Sequence, residues 1–409
     1  MYMTNFLLAD YADLEWAIGL HRCILEIVGL WPQQNKDQYK EFFSKFRKLF
    51  NATAIIYILI IPGLAQLINV WGDMIQIIDN LQFTLTFLVT ILKVYIMWYK
   101  KGALLLLINK IIKDWTRVKM DEERNVMVKK AKITRLILQI GLFITISATF
   151  SRPGSIIFKE YIWHVNNLTN HERSLPVPAH YWYDVTSSPK YELTYLAQTI
   201  GLVTCAITYV GVDNFLGLLI LHVCGQMENL HLRLLHLGND SDFKAVLKYN
   251  VKDHICLISC RSVKIIDDTF NLLLLAMIGF FCVLFSLFGF LVLTAVNQDT
   301  QLSFAQMSWY FLASGTLLMH TCLYCAVGEH LVNKCEEVHS ATYECVWYTL
   351  EPKATRNLAV IMVCAKKPLN ITAGKMFPMT MSTFCSVSFV MHVKYDIILY
   401  QNYDIKTLF

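Results

Sequence analysis

Seven long apolar stretches divide this chain, and no other feature of the sequence constrains its fold as strongly. They run Leu49–Trp71, Asp79–Tyr99, Ile133–Phe150, Tyr191–His222, Thr269–Val296, Phe304–His330 and Thr372–Gln401. A helix rises about 1.5 Å per residue, so roughly twenty such residues cross the ~30 Å hydrocarbon core of a bilayer. Only 16% of the chain is charged and 55% is hydrophobic, well below the ~25% charge of an ordinary soluble domain. A β-barrel would instead show alternating strands of about ten residues. These observations predict an all-α membrane protein with seven transmembrane helices in a single membrane domain.

The positive charges between the stretches alternate. Segments 1–48, 100–132, 223–268 and 331–371 hold 27 lysines and arginines, whereas segment 151–190 and the tail together hold 5. By the positive-inside rule the rich set is cytoplasmic. The N-terminus is then cytoplasmic and the C-terminus extracellular, the reverse of a G-protein-coupled receptor. The net charge of +5 is loop charge of this kind and implies no nucleic-acid partner. No cleavable signal peptide is evident at Met1–Phe6, and the first stretch is expected to act as its own anchor.

Between the spans, Trp16–Trp31 has apolar residues at helical spacing and suits an interfacial or re-entrant helix under the bundle. Gly102–Ile112 is too short to cross and is expected to prolong the second helix. In 223–268 and 331–371, Leu, Val and Ile at helical spacing predict a cytoplasmic helical anchor bundle, since such faces must be buried. The outer loop 151–190 carries Pro153, Gly154, Pro176, Pro178 and Pro189, which are expected to break regular structure. Its aromatics suit either interfacial anchoring or a lid over a pocket. In this topology Asn167-Leu168-Thr169 is the sequon open to glycosylation. All twelve cysteines fall in spans or cytoplasmic segments, where disulfides are disfavoured.

No phosphate loop, zinc motif or catalytic constellation is present, so the expectation is no enzyme and no cofactor or metal. Lys93 is placed to snorkel toward the cytoplasmic face, and Asp213 is placed near an inner, solvated end. Aromatic and polar residues in the outer halves of the spans suggest a pocket for a small volatile or lipophilic ligand. The candidates are Phe83, Phe87, Phe143, Ser147, Phe150, Tyr195, Gln198, Trp309 and Tyr310. The last span carries Ser382, Thr383, Ser386 and Ser388 and then Lys394 and Asp396, consistent with a pore lining.

The C-terminal part resembles the insect odorant receptors. Tyr343-Glu344-Cys345-Val346-Trp347-Tyr348-Thr349-Leu350-Glu351-Pro352 looks like that family's Tyr…Trp-Tyr-x-Leu-Pro segment, with Glu351 inserted. Lys367-Pro368-Leu369 followed by Thr372-Ala373-Gly374-Lys375-Met376-Phe377-Pro378 is similar to its Lys-Pro…Thr-Ala-Gly-Lys-x-Phe-Pro run. Gly328-Glu329 and the Tyr395…Gln401 spacing also fit. The resemblance implies an odour-binding subunit in a tetrameric, ligand-gated, non-selective cation channel. That channel would be assembled with a shared odorant co-receptor in the plasma membrane of sensory dendrites. It implies a pore and gate around Asp396, Ile398, Gln401 and Asn402. The co-receptor itself has a much longer fourth intracellular segment than Cys224–Asp267. The rival readings are a gustatory receptor channel subunit, which shares the Tyr…Gln spacing, and a G-protein-coupled receptor. The latter lacks support from Asp-Arg-Tyr or Asn-Pro-x-x-Tyr motifs.

Overall fold

A computed structural model describes residues 2–32, 38–117, 120–165, 173–236, 255–297, 304–344 and 369–388, with isolated positions between 352 and 366. Side chains at 2–11, 159–160, 162–165, 236, 255–260, 291–297, 304–310 and 313 are not described. The helices are α1 (Tyr2–Ile27), α2 (Gln38–Ala54), a π-helical turn (Ile55–Ile60), α3 (Ile61–Asn69), α4 (Met74–Tyr99), α5 (Lys101–Trp115) and α6 (Asp121–Val165). They continue with α7 (Lys190–His236), α8 (Ile255–Asn297) and α9 (Phe304–Glu344), followed by a hairpin of β1 (Thr372–Ala373) and β2 (Phe377–Pro378). Residues 381–388 are again helical. Among the described residues, five helical segments are long and apolar enough to cross a membrane: Gln38–Asn69, Met74–Tyr99, Asp121–Phe158, Lys190–Leu235 and Arg261–Phe290.

α7 is the hub of the bundle. It packs against α1, α4, α6, α8 and α9, and 78% of its most apolar stretch is buried, against 22% for α6. A helix that is apolar all round belongs inside. α6 instead turns Leu136, Ile140, Phe143, Ile146 and Phe150 outward, a three- and four-residue spacing that makes one lipid-facing stripe. α1 lies against α5, α6 and α7, as an interfacial helix tucked under the bundle would.

The anchor segments prolong the spans: α7 runs on to His236, and α8 begins at Ile255. Asn357–Cys364 lies largely outside the described residues. The second helix does not run on: α4 stops at Lys100, whose φ of −92° and ψ of 14° leave the helix before α5 restarts. Nor does Pro153 end the third helix, since α6 continues through it. The missing N–H removes one helical hydrogen bond, but the turn is held from outside. Tyr195 Oη donates to the Pro153 carbonyl at 2.9 Å, and Arg152 is clamped by Asp79.

The Thr372–Pro378 run, read as the start of the last span, forms the hairpin instead. Met376 N donates to Ala373 O at 3.1 Å, and Gly374 (φ 61°) and Lys375 (φ 62°) occupy the two central positions. Two adjacent positive φ angles are what a type I′ turn demands. The hairpin sits on the start of α8. Asp267 accepts from Thr372 N and Oγ1, both at 2.7 Å, and from Lys375 Nζ at 2.5 Å. Gly374 lies so close to Leu275 that a Cβ would come within 2.7 Å of its Cδ2.

Candidate functional site

One end of the bundle encloses a cavity of about 150 Å³. Helical periodicity builds its walls. α4 contributes Gln82, Phe83, Thr86 and Phe87; α6 contributes Thr145, Ala148, Thr149 and Arg152; α7 contributes Leu202, Cys205, Ala206 and Tyr209. Positions i, i+3, i+4 and i+7 share one helix face, so each helix presents a single stripe. Phe280 and Leu284 of α8, and Thr316, Leu317 and His320 of α9, close the ring. Several threonines turn their hydroxyls back to their own helix. Thr86 Oγ1 donates to Gln82 O at 2.6 Å and Thr149 Oγ1 to Thr145 O at 2.8 Å. Their methyls are left to the cavity, and the wall is mostly apolar.

At the mouth, Asp79 accepts a bidentate pair from Arg152 at 3.0 and 2.8 Å, and the guanidinium lies 5.0 Å from the Phe83 ring centroid. Asp73 caps α4 by accepting from Ile75 N and Gln76 N, which fixes the register of this wall. The loop before α7 is stitched over the opening. Val177 N donates to Gln198 Oε1 at 3.0 Å, Tyr181 Oη to Ile58 O at 2.9 Å, and His180 N to Pro62 O at 2.9 Å. Asn80 Nδ2 donates to Pro178 O at 3.2 Å, and Pro176 lines the cavity. Burial pushes the Tyr181 phenol up, against the opposing hydrogen bond from Gln198. The proline-rich loop is therefore a lid with defined attachment points.

Beneath the cavity lies a buried polar floor. Lys93 and Asp213, both with fully buried side chains, pair at 2.5 Å. The Lys93 ammonium stands 3.0 Å from the centroid of the Tyr209 ring, and His320 meets that ring edge-on at 5.4 Å. His320 Nε2 is 3.8 Å from Asp213 Oδ2. The expected snorkelling of Lys93 and solvation of Asp213 are thus overturned. Each finds its countercharge on the neighbouring helix, which removes the need to reach water.

The sequence candidates divide. Phe83 and Phe87 line the cavity, with ring centroids 6.2 Å apart. Gln198 is buried and holds the lid through Val177 and Tyr181. Tyr195 secures Pro153. Phe143, Ser147 and Phe150 face outward, Phe143 being 74% exposed. Their shared spacing is real, but the face they share is the lipid-facing one. Trp309 and Tyr310 lie on α9, but their side chains, like all of Asn167, Asp396, Ile398, Gln401 and Asn402, fall outside the described residues. The sequence reading missed Arg152, Tyr209 and His320. The opposite charges of Lys93 and Asp213, within the second and fourth apolar stretches, were the available signal for the floor. Among the described residues no cluster of His, Cys, Asp and Glu could hold a metal.

Comparison with known proteins converges on one family. The model of the 7tm Odorant receptor family matches residues 73–390. Odorant receptor 13a of Drosophila melanogaster is 26% identical over 224 residues, covering 50% of this chain and 52% of that protein. Odorant receptor Or1 of Anopheles gambiae is 36% identical over 87 residues, 20% of each chain. The chain therefore aligns with about half or less of these relatives' lengths. The olfactory receptor OR5 of Machilis hrabei superposes with a TM-score of 0.76 at 18% identity, over 95% of this chain and 99% of that one. The same receptor in complex with eugenol gives 0.78 at 17% identity, over 96% and 99%.

Proposed function

Because this chain belongs to the insect odorant receptor family, we propose that it is an odour-binding subunit whose cavity takes a small lipophilic ligand and whose occupancy gates a cation channel. The observation that carries the reading is the lidded cavity itself, walled by Phe83, Phe87 and Leu202 in the half of the bundle where the helices part. An apolar cavity of about 150 Å³ accommodates a benzene-sized ring. That the fold is shared with a receptor studied in complex with eugenol is in keeping with a ligand of this scale.

The channel is non-selective and forms a heterotetramer with the shared co-receptor in the plasma membrane, N-terminus inside. The last helix supplies the pore, with Asp396, Ile398, Gln401 and Asn402 at the gate. Ligand shifts the equilibrium toward opening by binding the open arrangement more tightly. Support comes from the alternation of basic segments and from the hairpin that seats the start of the 381–388 helix on α8.

The test is co-expression with an odorant co-receptor and recording of currents evoked by a volatile panel. Phe87→Ala is expected to weaken the response more than tenfold, since truncating a buried aromatic removes a large contact area. Phe143→Ala, on the outward face, is expected to leave it intact. Equal responses of both variants at equal surface levels would sink the pocket assignment. For orientation, a glycan-dependent mobility shift that disappears in Asn167→Gln is expected; its absence in a surface-expressed chain would count against the topology.

A further inference from the structure

Three residues of the cavity wall carry buried polar atoms that no hydrogen bond among the described residues uses. Gln82 Oε1 on α4, Thr145 Oγ1 on α6 and His320 Nε2 on α9 are each buried without a hydrogen-bond partner among the described residues. They stand on three different helices around one apolar space. The remaining polar atoms of the same groups are engaged: Gln82 Nε2 donates to Asp79 Oδ1 at 3.2 Å, and His320 Nδ1 contacts the Thr316 carbonyl at 2.7 Å.

The Thr316 contact decides the chemistry of the ring. A carbonyl oxygen only accepts, so Nδ1 carries the proton, and in the neutral ring Nε2 is an acceptor. Asp213 is already balanced by Lys93 at 2.5 Å, so the ring needs no charge of its own to neutralise that carboxylate. Gln82 Oε1 is likewise an acceptor. The cavity therefore offers two orphan acceptors and one hydroxyl that can serve either way, and no orphan group that only donates. An unused acceptor in a low-dielectric wall is a standing penalty that a donor removes.

Resting on the odour-binding reading, we infer that the cavity selects lipophilic molecules bearing a hydroxyl, alcohols or phenols. The O–H donates to His320 Nε2 at the floor while the hydrocarbon body packs against Phe87 and Leu202. An ether, ester or hydrocarbon of the same shape leaves Nε2 orphaned and binds more weakly. A missing partner for a buried polar group discriminates far more sharply than a missing methylene.

The experiment measures binding directly, on the full chain purified with its co-receptor in lipid nanodiscs. The probes are a matched set: a phenyl-substituted primary alcohol, its methyl ether and the corresponding alkylbenzene. The expected result is a roughly tenfold tighter alcohol than ether, with the difference lost in His320→Leu and partly kept in His320→Gln, whose amide oxygen still accepts. Equal affinities for alcohol and ether in the unmodified chain would overturn the inference while leaving the receptor reading intact. So would a preference that survives His320→Leu. Selective binding without any evoked current would uphold this inference and count against the channel reading instead. Failure of every member of the set to bind would remove both. Because the alcohol–ether comparison is made first on the unmodified chain, a variant that misfolds does not shelter the inference.

Discussion

At the cavity end of the bundle, α4, α6, α7, α8 and α9 surround about 150 Å³; there the Arg152–Asp79 clamp ties α6 to α4, and the lid is bonded to α4 through Asn80 and to α7 through Gln198. At the opposite, basic end the helices close and charged side chains cross-link them. Lys130 pairs with Glu228 at 2.8 Å, Lys334 with the same Glu228 at 3.5 Å, and Arg233 with Glu123, joining α6, α7 and α9. The large core cluster that includes Phe215, Phe270 and Leu331 fills the space between. The contrast follows from the solvent. Lipid is as apolar as a leucine core, so helices are held by close packing and polar contacts. Where polar contacts are dense the bundle shuts, and where they thin out room remains for a ligand. The Lys93–Asp213 pair marks the boundary between the two regimes.

The largest test of this comparison is at that boundary. Lys93→Met leaves the Asp213 carboxylate buried without its countercharge, which costs roughly 3–5 kcal/mol when a buried pair is broken. We expect a corresponding loss in thermal stability of the purified protein and in surface yield, with substantial recovery in the double variant Lys93→Met/Asp213→Leu. If Lys93→Met unfolded at the same temperature as the parent, the pair would not hold the boundary between the two ends.

A middle-sized effect is expected from α1. His21 is 1% exposed, and burial, aided by the Arg135 charge, lowers its pKa to about 4. Its folded value lies below the unfolded 6.5, so between about 4 and 6.5 the unfolded chain binds more protons. The stability is fully present above 6.5 and is lost as pH falls through that window. From pH 7 to pH 5 this amounts to about 2 kcal/mol. Stability measured against pH should be flatter over this range in His21→Leu. A slope identical to the parent's would show that α1 does not seal this end.

The smallest effect belongs to the hairpin. Asp267→Asn keeps an acceptor for Thr372 but loses the charge facing Lys375, which is half exposed. Solvent screening limits the loss to about 1 kcal/mol. A drop as large as that of Lys93→Met would move the hairpin into the rigid end and redraw the comparison.

Much of the fold could be read in the chain, and less of the site. Apolar runs, the interfacial α1 and the aromatic pair Phe83 and Phe87 follow from periodicity. The orientation of a face does not. Phe143 and Phe150 have the same helical spacing and the same composition as an inward-facing stripe, yet they point to lipid. Because lipid and protein interior are equally apolar, hydrophobicity carries no sign for inside and outside. Arg152 was readable as a loop cation near a proline. Its place at the cavity mouth depends on α6 continuing through Pro153, which Tyr195 and Asp79 secure from other parts of the chain. The left-handed pair Gly374 and Lys375 was visible only as a family motif; the turn gives that motif its physical reason.

The sequence by itself determined the helices, the alternation of basic segments and the chemical character of each span, because these depend on local spacing and on the thickness of a bilayer. Only the tertiary structure decided that Lys93 meets Asp213, that Gln198 holds the lid, and that Gln82, Thr145 and His320 face one cavity. These are pairings between helices, and a helix's own periodicity cannot say which neighbour its polar face will find.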